Sequence, residues 1–387
     1  MTEIMTYTLP PELGRFQRNA LIIGAIGAVL CVAGWIVRPE QFFQSYLIGY
    51  LFWMGIALGC LAVVMLQHLT GGDWGVVIQR LLESATRTLP LMAVLFIPLA
   101  LGMNKLYAWS RAAESQHHQD AWLSVPFFLL RAVIYFAIWL AMAWLLNRWS
   151  REQDGNADPR LKRRLQTLSG PGLVIYALTA TFAATDWLMS LVPDWYSTIF
   201  GLLVIAGEAL SAFAFVVVAA AILARREPMN RVIAPKHFHD LGKLLLAFVM
   251  IWAYLAFSQL LIVWAGNLPE EIPFYLPRMQ TSWRWIGVLL IVFQFALPFL
   301  LLLSRELKRR TGQLIAVALL VLVMRFTDLF WLVAPQFHRQ GIRFHWLDLA
   351  AVVAIGGVWL AFFVWQLRGR PLVPLHDPRL QEALARH

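Results

Sequence analysis

The sequence predicts an all-α integral membrane protein with ten transmembrane helices. Three observations carry that expectation. Of the 387 residues, 60% are apolar and only 14% are charged, against about 25% charged in a soluble globular protein. The apolar residues gather into stretches of about 20, the length a helix needs to cross a bilayer. Aromatic side chains are abundant, with 18 Trp and 25 Phe, as suits interfacial belts and helix packing in membranes. These proportions exclude a soluble globular domain, a disordered chain and a coiled coil.

The first span, 19–37, is too long for a signal peptide, and no small-residue cleavage site precedes a soluble domain. The second, 44–67, stops at His68-Leu69-Thr70-Gly71-Gly72, where paired glycines end a helix. Asp73 to Ser84 reads as a short helix lying along the inner surface. Spans at 88–107, 124–147 and 170–192 follow. Val192-Pro193-Asp194-Trp195 forms the whole connection to the sixth span, 196–224. The remaining spans are 241–265, 284–304, 312–334 and 347–367. Between the seventh and eighth, Asn267 to Ser282 is rich in Pro, Glu and Tyr and predicts an ordered outer loop suited to a partner. The tail from Pro371 to His387 is short and polar.

Lys and Arg set the orientation. With the N-terminus inside, the inner segments hold 22 of the 32 Lys and Arg, the outer loops with the outer span ends at Lys105 and Arg284 hold 7, and the spans hold the rest. That asymmetry predicts both termini in the cytoplasm. It also accounts for most of the net charge of +10, so a nucleic-acid partner is not needed to explain it. The longest inner loop joins the turn residues Asp154-Gly155-Asn156-Ala157-Asp158-Pro159 to the basic run Lys162-Arg163-Arg164.

Charged groups within spans cost about 2.5–3.5 kcal/mol each at the bilayer centre. They are Arg131, Asp186, Glu208, Lys243, Arg325 and Asp328. Tyr176, Thr179, Ala183, Asp186 and Ser190 share one small, polar face of the fifth span. Asp186 is there either a proton-relay carboxylate or a structural hydrogen-bonding group, and it is the natural partner for Arg131. Glu208, near the centre of the sixth span, is either protonated or paired. Arg325 and Asp328, three residues apart, read as a local ion pair that could also gate a proton path. Lys243 is placed to snorkel to the inner surface. His68 and Asp73 flank the paired glycines, where His68 either collects protons or caps its helix. His237 and His239 read as interfacial, and His117-His118 as part of an outer loop.

Several chemistries are excluded. The 2 Cys, Cys31 and Cys60, lie in apolar runs and cannot supply a disulfide framework, an iron–sulfur cluster or a covalent haem site. The 9 His fall in loops, tails or span ends, whereas a b-type haem needs axial ligands, usually paired His, within spans. No Walker, HExxH or GxSxG motif occurs. The chain is therefore expected to have no covalently bound cofactor, no metal, no redox centre and no catalytic nucleophile of its own.

Two segments carry a family resemblance. One is His68-Leu69-Thr70-Gly71-Gly72-Asp73-Trp74-Gly75 with Glu83 and Leu89-Pro90. The other is Thr181-Phe182-Ala183-Ala184-Thr185-Asp186-Trp187-Leu188-Met189-Ser190-Leu191, followed by Trp195-Tyr196-Ser197-Thr198-Ile199-Phe200-Gly201. Phe238-His239-Asp240-Leu241-Gly242-Lys243, Tyr254, Ser258 and Gln259 also fit. With these, the chain resembles the ten-helix membrane subunits of alternative complex III, in the NrfD/polysulfide-reductase membrane-subunit family, and the F-type subunit above all.

The resemblance implies two four-helix bundles, approximately 44–192 and 196–334, flanked by helices 19–37 and 347–367. It implies a bacterial inner-membrane complex that oxidises quinol and reduces cytochrome c or an oxidase. The partners would be a C-type quinol-binding membrane subunit, an iron–sulfur subunit, c-type multihaem cytochromes and a terminal oxidase. Haem and iron–sulfur clusters would sit only in those partners, and quinone or menaquinone at the C-type subunit or at this one. The residues themselves suggest two half-paths for protons. His68, Asp73 and Lys243 lie inside, Arg131, Asp186, Arg325 and Asp328 outside, and Glu208 between them. A secondary transporter and a passive anchor for electron-transfer subunits are the rival readings.

Overall fold

The computed structural model describes residues 10, 12–111, 121–156 and 158–375. His117, His118, the tail beyond Leu375 and the side chains of Asp73, Ala121 and Pro159 lie outside the described residues. Lipid offers a backbone no hydrogen-bond partner, so each crossing segment must bond internally, and this chain does so with helices. Ten helical segments are long and apolar enough to cross a membrane.

The crossings begin with α1 (Leu13–Val37) and α2 (Pro39–Thr70). The third contains α3 (Asp73–Thr86), α4 (Leu89–Leu95), α5 (Ile97–Leu101) and α6 (Met103–Leu106). It breaks at Pro90, Pro98 and Gly102, where backbone donors or side chains are missing. Next come α7 (Val125–Gly155), α8 (Pro159–Trp187), α9 (Phe200–Leu223) and α10 (Pro235–Gly266). The short α11 (Leu276–Gln280) precedes an eighth crossing made of α12 (Arg284–Leu290), a π-helical turn and α13 (Leu297–Leu303). The short α14 (Arg305–Arg309) leads to α15 (Thr311–Val333), and α16 (Trp346–Arg368) ends the bundle.

Ten crossings return the chain to the side on which it began, here the terminal side. There Glu12 pairs with Arg226 beyond the end of α9 at 2.5 Å, and the Arg368 guanidinium covers Gly14. On the opposite side Lys105 lies 3.7 Å from Glu40.

The nearly buried α2 is the central post of the fold. It touches α1, α8, α9, α15 and α16. Helices α7 and α8 pack on each other, as do α9, α10 and α15, while α2 packs on both α8 and α9. The seam between α2 and α9 is tight because small residues line it. A Cβ on Gly59 would stand 2.1 Å from the Glu208 carbonyl oxygen. Gly59→Val is therefore expected to part α2 from α9 and cost about 1–3 kcal/mol, read as a lower unfolding temperature in detergent. An unchanged temperature would show that the close approach is not needed. Likewise, α1 lies on α16 through Gly24 and Gly27 against Gly357 and Ala354.

The expected short helix is present as α3, and residues 75–86 of it are all buried, so it is covered by neighbouring helices and is not exposed. Its polar side chains find partners on α7 and on the segment after α16, and this lets the whole helix enter the core. That segment, Arg370 to Leu375, begins the tail expected to be polar, yet Leu372 and Val373 are buried.

The eighth crossing contains a π-helical turn at Ile291–Ala296 just before Pro298. A proline lacks the N–H and clashes with the carbonyl four residues back, here that of Gln294. The wider π turn accommodates both, and Gln294 is fully buried.

Candidate functional site

The polar interior is a series of separate clusters. Nearest the opposite side, Arg131 of α7 meets Asp186 of α8. Its Nε donates to Oδ2 at 2.8 Å and its Nη2 to Oδ1 at 2.7 Å, a bidentate pair. The Tyr135 hydroxyl donates to the same carboxylate at 2.8 Å. Arg131 also donates to the Trp122 carbonyl at 2.9 Å and lies 4.1 Å from the Trp122 ring centre and 4.5 Å from that of Phe127. Asp186 is wholly buried. The expected partnership is therefore present, and its geometry is that of a structural lock. The face shared with Tyr176, Thr179, Ala183 and Ser190 is buried in packing.

Tyr176 and Asp186 are ten residues apart on α8, about 15 Å along the axis. At the Tyr176 level, its hydroxyl donates to Glu208 Oε2 at 2.5 Å. This is the one hydrogen bond of the Glu208 carboxylate among the described residues, and Glu208 is half-buried. It borders a cavity of about 20 Å³ walled by Met54, Leu58, Ala180, Ala183, Trp187 and Val204, room for a single water molecule. The two faces of α9 thus differ: Glu208 looks toward α2 and α8, and Gly207 toward α15. A Cβ on Gly207 would meet the Arg325 guanidinium, so only glycine admits that charge.

Arg325 pairs with Asp328, as their spacing suggests. Ser211 lies 3.4 Å from its Nε. Trp252 of α10 donates to Asp328 at 3.2 Å. With its amide oriented to satisfy its neighbours, Gln294 donates to the Met324 carbonyl at 2.8 Å and accepts from Trp252 at 3.3 Å. Helical spacing points to Arg325 and Asp328 but not to Trp252 or Gln294, because those two arrive from other helices.

On the terminal side, His68 Nδ1 lies 3.1 Å from Ser169 Oγ. Ser169 donates its proton to the Leu165 carbonyl at 2.7 Å, which makes Nδ1 the donor. Lys243 is exposed and paired with Asp240 at 3.0 Å, so it stays at the surface and does not join the interior. Only the backbone of Asp73, at the start of α3, is described.

Sequence reasoning missed the largest polar cluster. Arg80 Nη1 donates to Glu83 at 2.6 Å and to Ser150 at 2.7 Å, and Nη2 pairs with Asp154. Glu83 also accepts from Ser150 at 2.6 Å, Gln79 at 2.9 Å and Arg370 at 3.2 Å. Arg370 donates to the side chain and backbone oxygens of Asn147 at 3.1 and 3.0 Å. Burial, followed by repulsion from Arg80 and Arg151, lowers the Arg370 pKa against the pull of Glu83. The visible signal was Gln79, Arg80 and Glu83 interrupting an apolar run.

Arg278 was also missed. Fully buried, it donates to the carbonyls of Trp331 at 3.2 Å and Leu332 at 2.8 Å and to that of Phe274. It thus caps the C-terminal end of α15, with the Phe274 ring 3.6 Å away. Burial lowers its pKa to about 9. This ties down the expected ordered loop, where Phe274 stacks on Trp195 at 4.1 Å. Beside it opens a vestibule of about 950 Å³ lined by Glu40, Lys105, Trp109, Arg111, Asp194 and Arg339, among others.

Fold and interior together define a multi-pass α-helical membrane protein whose core carries discrete ionised clusters. No family model matches the chain, and no curated protein matches it.

Proposed function

We propose that the chain is an integral subunit of an alternative complex III-like quinol:cytochrome c or quinol:oxidase oxidoreductase, and that Glu208 carries protons across its middle. The single observation behind the proton role is Glu208 itself. It is a carboxyl group at mid-span with one hydroxyl donor, a water-sized cavity beside it and an ion pair one helix face away. Such a group can change protonation without breaking a salt bridge. Intramembrane carboxyls of this kind mark ion and proton routes. Toward the terminal side the route would use His68. Toward the opposite side it would pass the Asp186 lock, below the vestibule wall where Trp109 donates to the Ser190 carbonyl at 3.2 Å. The oxidoreductase setting is supported by the two tryptophan-bearing segments quoted above.

In this reading both termini are cytoplasmic and the membrane is a bacterial inner membrane. Quinone binds chiefly at a C-type neighbour. Haem and iron–sulfur clusters belong to the iron–sulfur and multihaem cytochrome partners, and a terminal oxidase accepts the electrons. The tagged chain, purified from native membranes in mild detergent, is expected to bring c-type haem and iron–sulfur subunits with it, visible in a reduced-minus-oxidised spectrum. A colourless chain, alone or self-associated, would overturn the assignment and leave the transporter as the better reading.

A further inference from the structure

The Arg80–Glu83–Arg370 cluster does not balance its charge. Glu83 and Asp154 are both engaged by Arg80, and Glu83 again by Arg370. Two more guanidiniums stand nearby. Arg87, between α3 and α4, donates only to neutral oxygens, Ser84 Oγ at 3.0 Å and the Gln366 carbonyl at 2.6 Å. Its Nε is buried without a partner, as is that of Arg370. Arg151, exposed near the end of α7, has no ion pair among the described residues. Arg87, Arg151 and Arg370 are close enough to repel one another. Four arginines against two carboxylates leave an excess of two positive charges at a partly desolvated place, where an unpaired charge is costly. Such a site calls for an anion.

The surroundings say which anion. About two turns beyond Arg87, the third crossing turns an apolar strip outward: Val94 is 61% exposed, Ile97 53% and Leu101 70%. Trp144 and Trp365, also exposed, flank the arginines from α7 and α16. Tryptophans at such positions mark the headgroup level of a bilayer. A free anion would use the arginines and leave the strip unexplained. A lipid uses both.

We propose that Arg87 and Arg151 hold the phosphate of an anionic membrane lipid, with acyl chains along Val94, Ile97 and Leu101 and Arg370 strengthening the field behind. The lipid would then bridge α4, α7 and α16, and through Arg370 would fasten the segment after α16 to α3.

The test is a titration of the detergent-purified chain with phosphatidylglycerol, read by native mass spectrometry and by unfolding temperature. Phosphatidylcholine and inorganic phosphate are the comparison ligands. Phosphatidylglycerol is expected to bind and raise the unfolding temperature, with the other two far weaker. Each basic residue near a membrane surface contributes about fivefold in affinity. Arg151→Gln, which removes no described bond, is therefore expected to weaken binding about fivefold, and Arg87→Gln with Arg151→Gln at least tenfold. Arg148→Gln, whose partner is Glu152 at 3.0 Å, is the control and should leave binding unchanged. An equal response to phosphatidylcholine would overturn the proposal. So would an equal response to inorganic phosphate, or wild-type affinity in the Arg151→Gln variant, which decides the matter even if the double variant does not fold.

Discussion

Arg131→Met is expected to lower stability by about 3–5 kcal/mol, the loss typical of breaking one side of a buried ion pair. Asp186 accepts three hydrogen bonds, two of them from this guanidinium. Without Arg131, a wholly buried carboxylate keeps only the Tyr135 hydroxyl and must either take up a proton or draw in water. Asp186→Leu strands the guanidinium instead, leaving it the Trp122 carbonyl and two aromatic faces. The double variant Arg131→Met with Asp186→Leu removes both charges together and should recover much of the loss, since apolar replacement of a whole pair is often neutral. Unfolding in detergent, followed by the fluorescence of the 18 Trp, gives all four corners of the cycle. Additive single losses would show that the two residues are not energetically coupled, and the lock would fail as a description.

Glu208→Gln is expected to have the opposite profile: a folded, assembled chain that no longer moves protons. Glutamine has the same size and its carbonyl still accepts from Tyr176, so packing changes little and the stability cost should stay below about 1 kcal/mol. It cannot carry a proton. Losing a positioned acid–base group usually costs about 10²–10⁴-fold in the step it serves. In vesicles holding the intact complex, proton release per electron should fall to the leak level, while quinol oxidation with an uncoupler present stays near normal. The driving reaction must supply about 2.3 kcal/mol per charge for each 100 mV, so loss of the carrier should also weaken control by the membrane potential. Normal proton release in this variant would remove Glu208 from any pathway and favour a passive anchor.

The clusters differ in how far they could be read from the sequence. Arg325 and Asp328 were legible because their contact is fixed by helical spacing alone. Arg131 and Asp186 were nearly so, because they sit near the outer ends of consecutive antiparallel spans. The Tyr176–Glu208 bond was not, although both residues stood out, since it depends on the rotation of α8 against α9. Trp252, Gln294 and Arg278 carried no local mark at all. Gln294 faces inward where a π turn precedes Pro298. Arg278 is charged and lies in a loop, which suggests solvent, yet it folds back onto the free carbonyls at the end of α15.

The sequence by itself determined ten crossings and an all-helical backbone. The physical reason is local: twenty apolar residues can satisfy their own backbone in lipid only as a helix. It also determined which charges would need partners, because an ionised group in that setting is expensive wherever it falls. Tertiary structure alone decided who those partners are. It buried α3 beneath its neighbours, because Arg80 and Glu83 found Ser150, Asp154 and Arg370. Those partners lie roughly 70 to nearly 290 residues away along the chain. Hydrophobicity and period record what each segment needs, and only the packing of helix against helix specifies which distant residue supplies it.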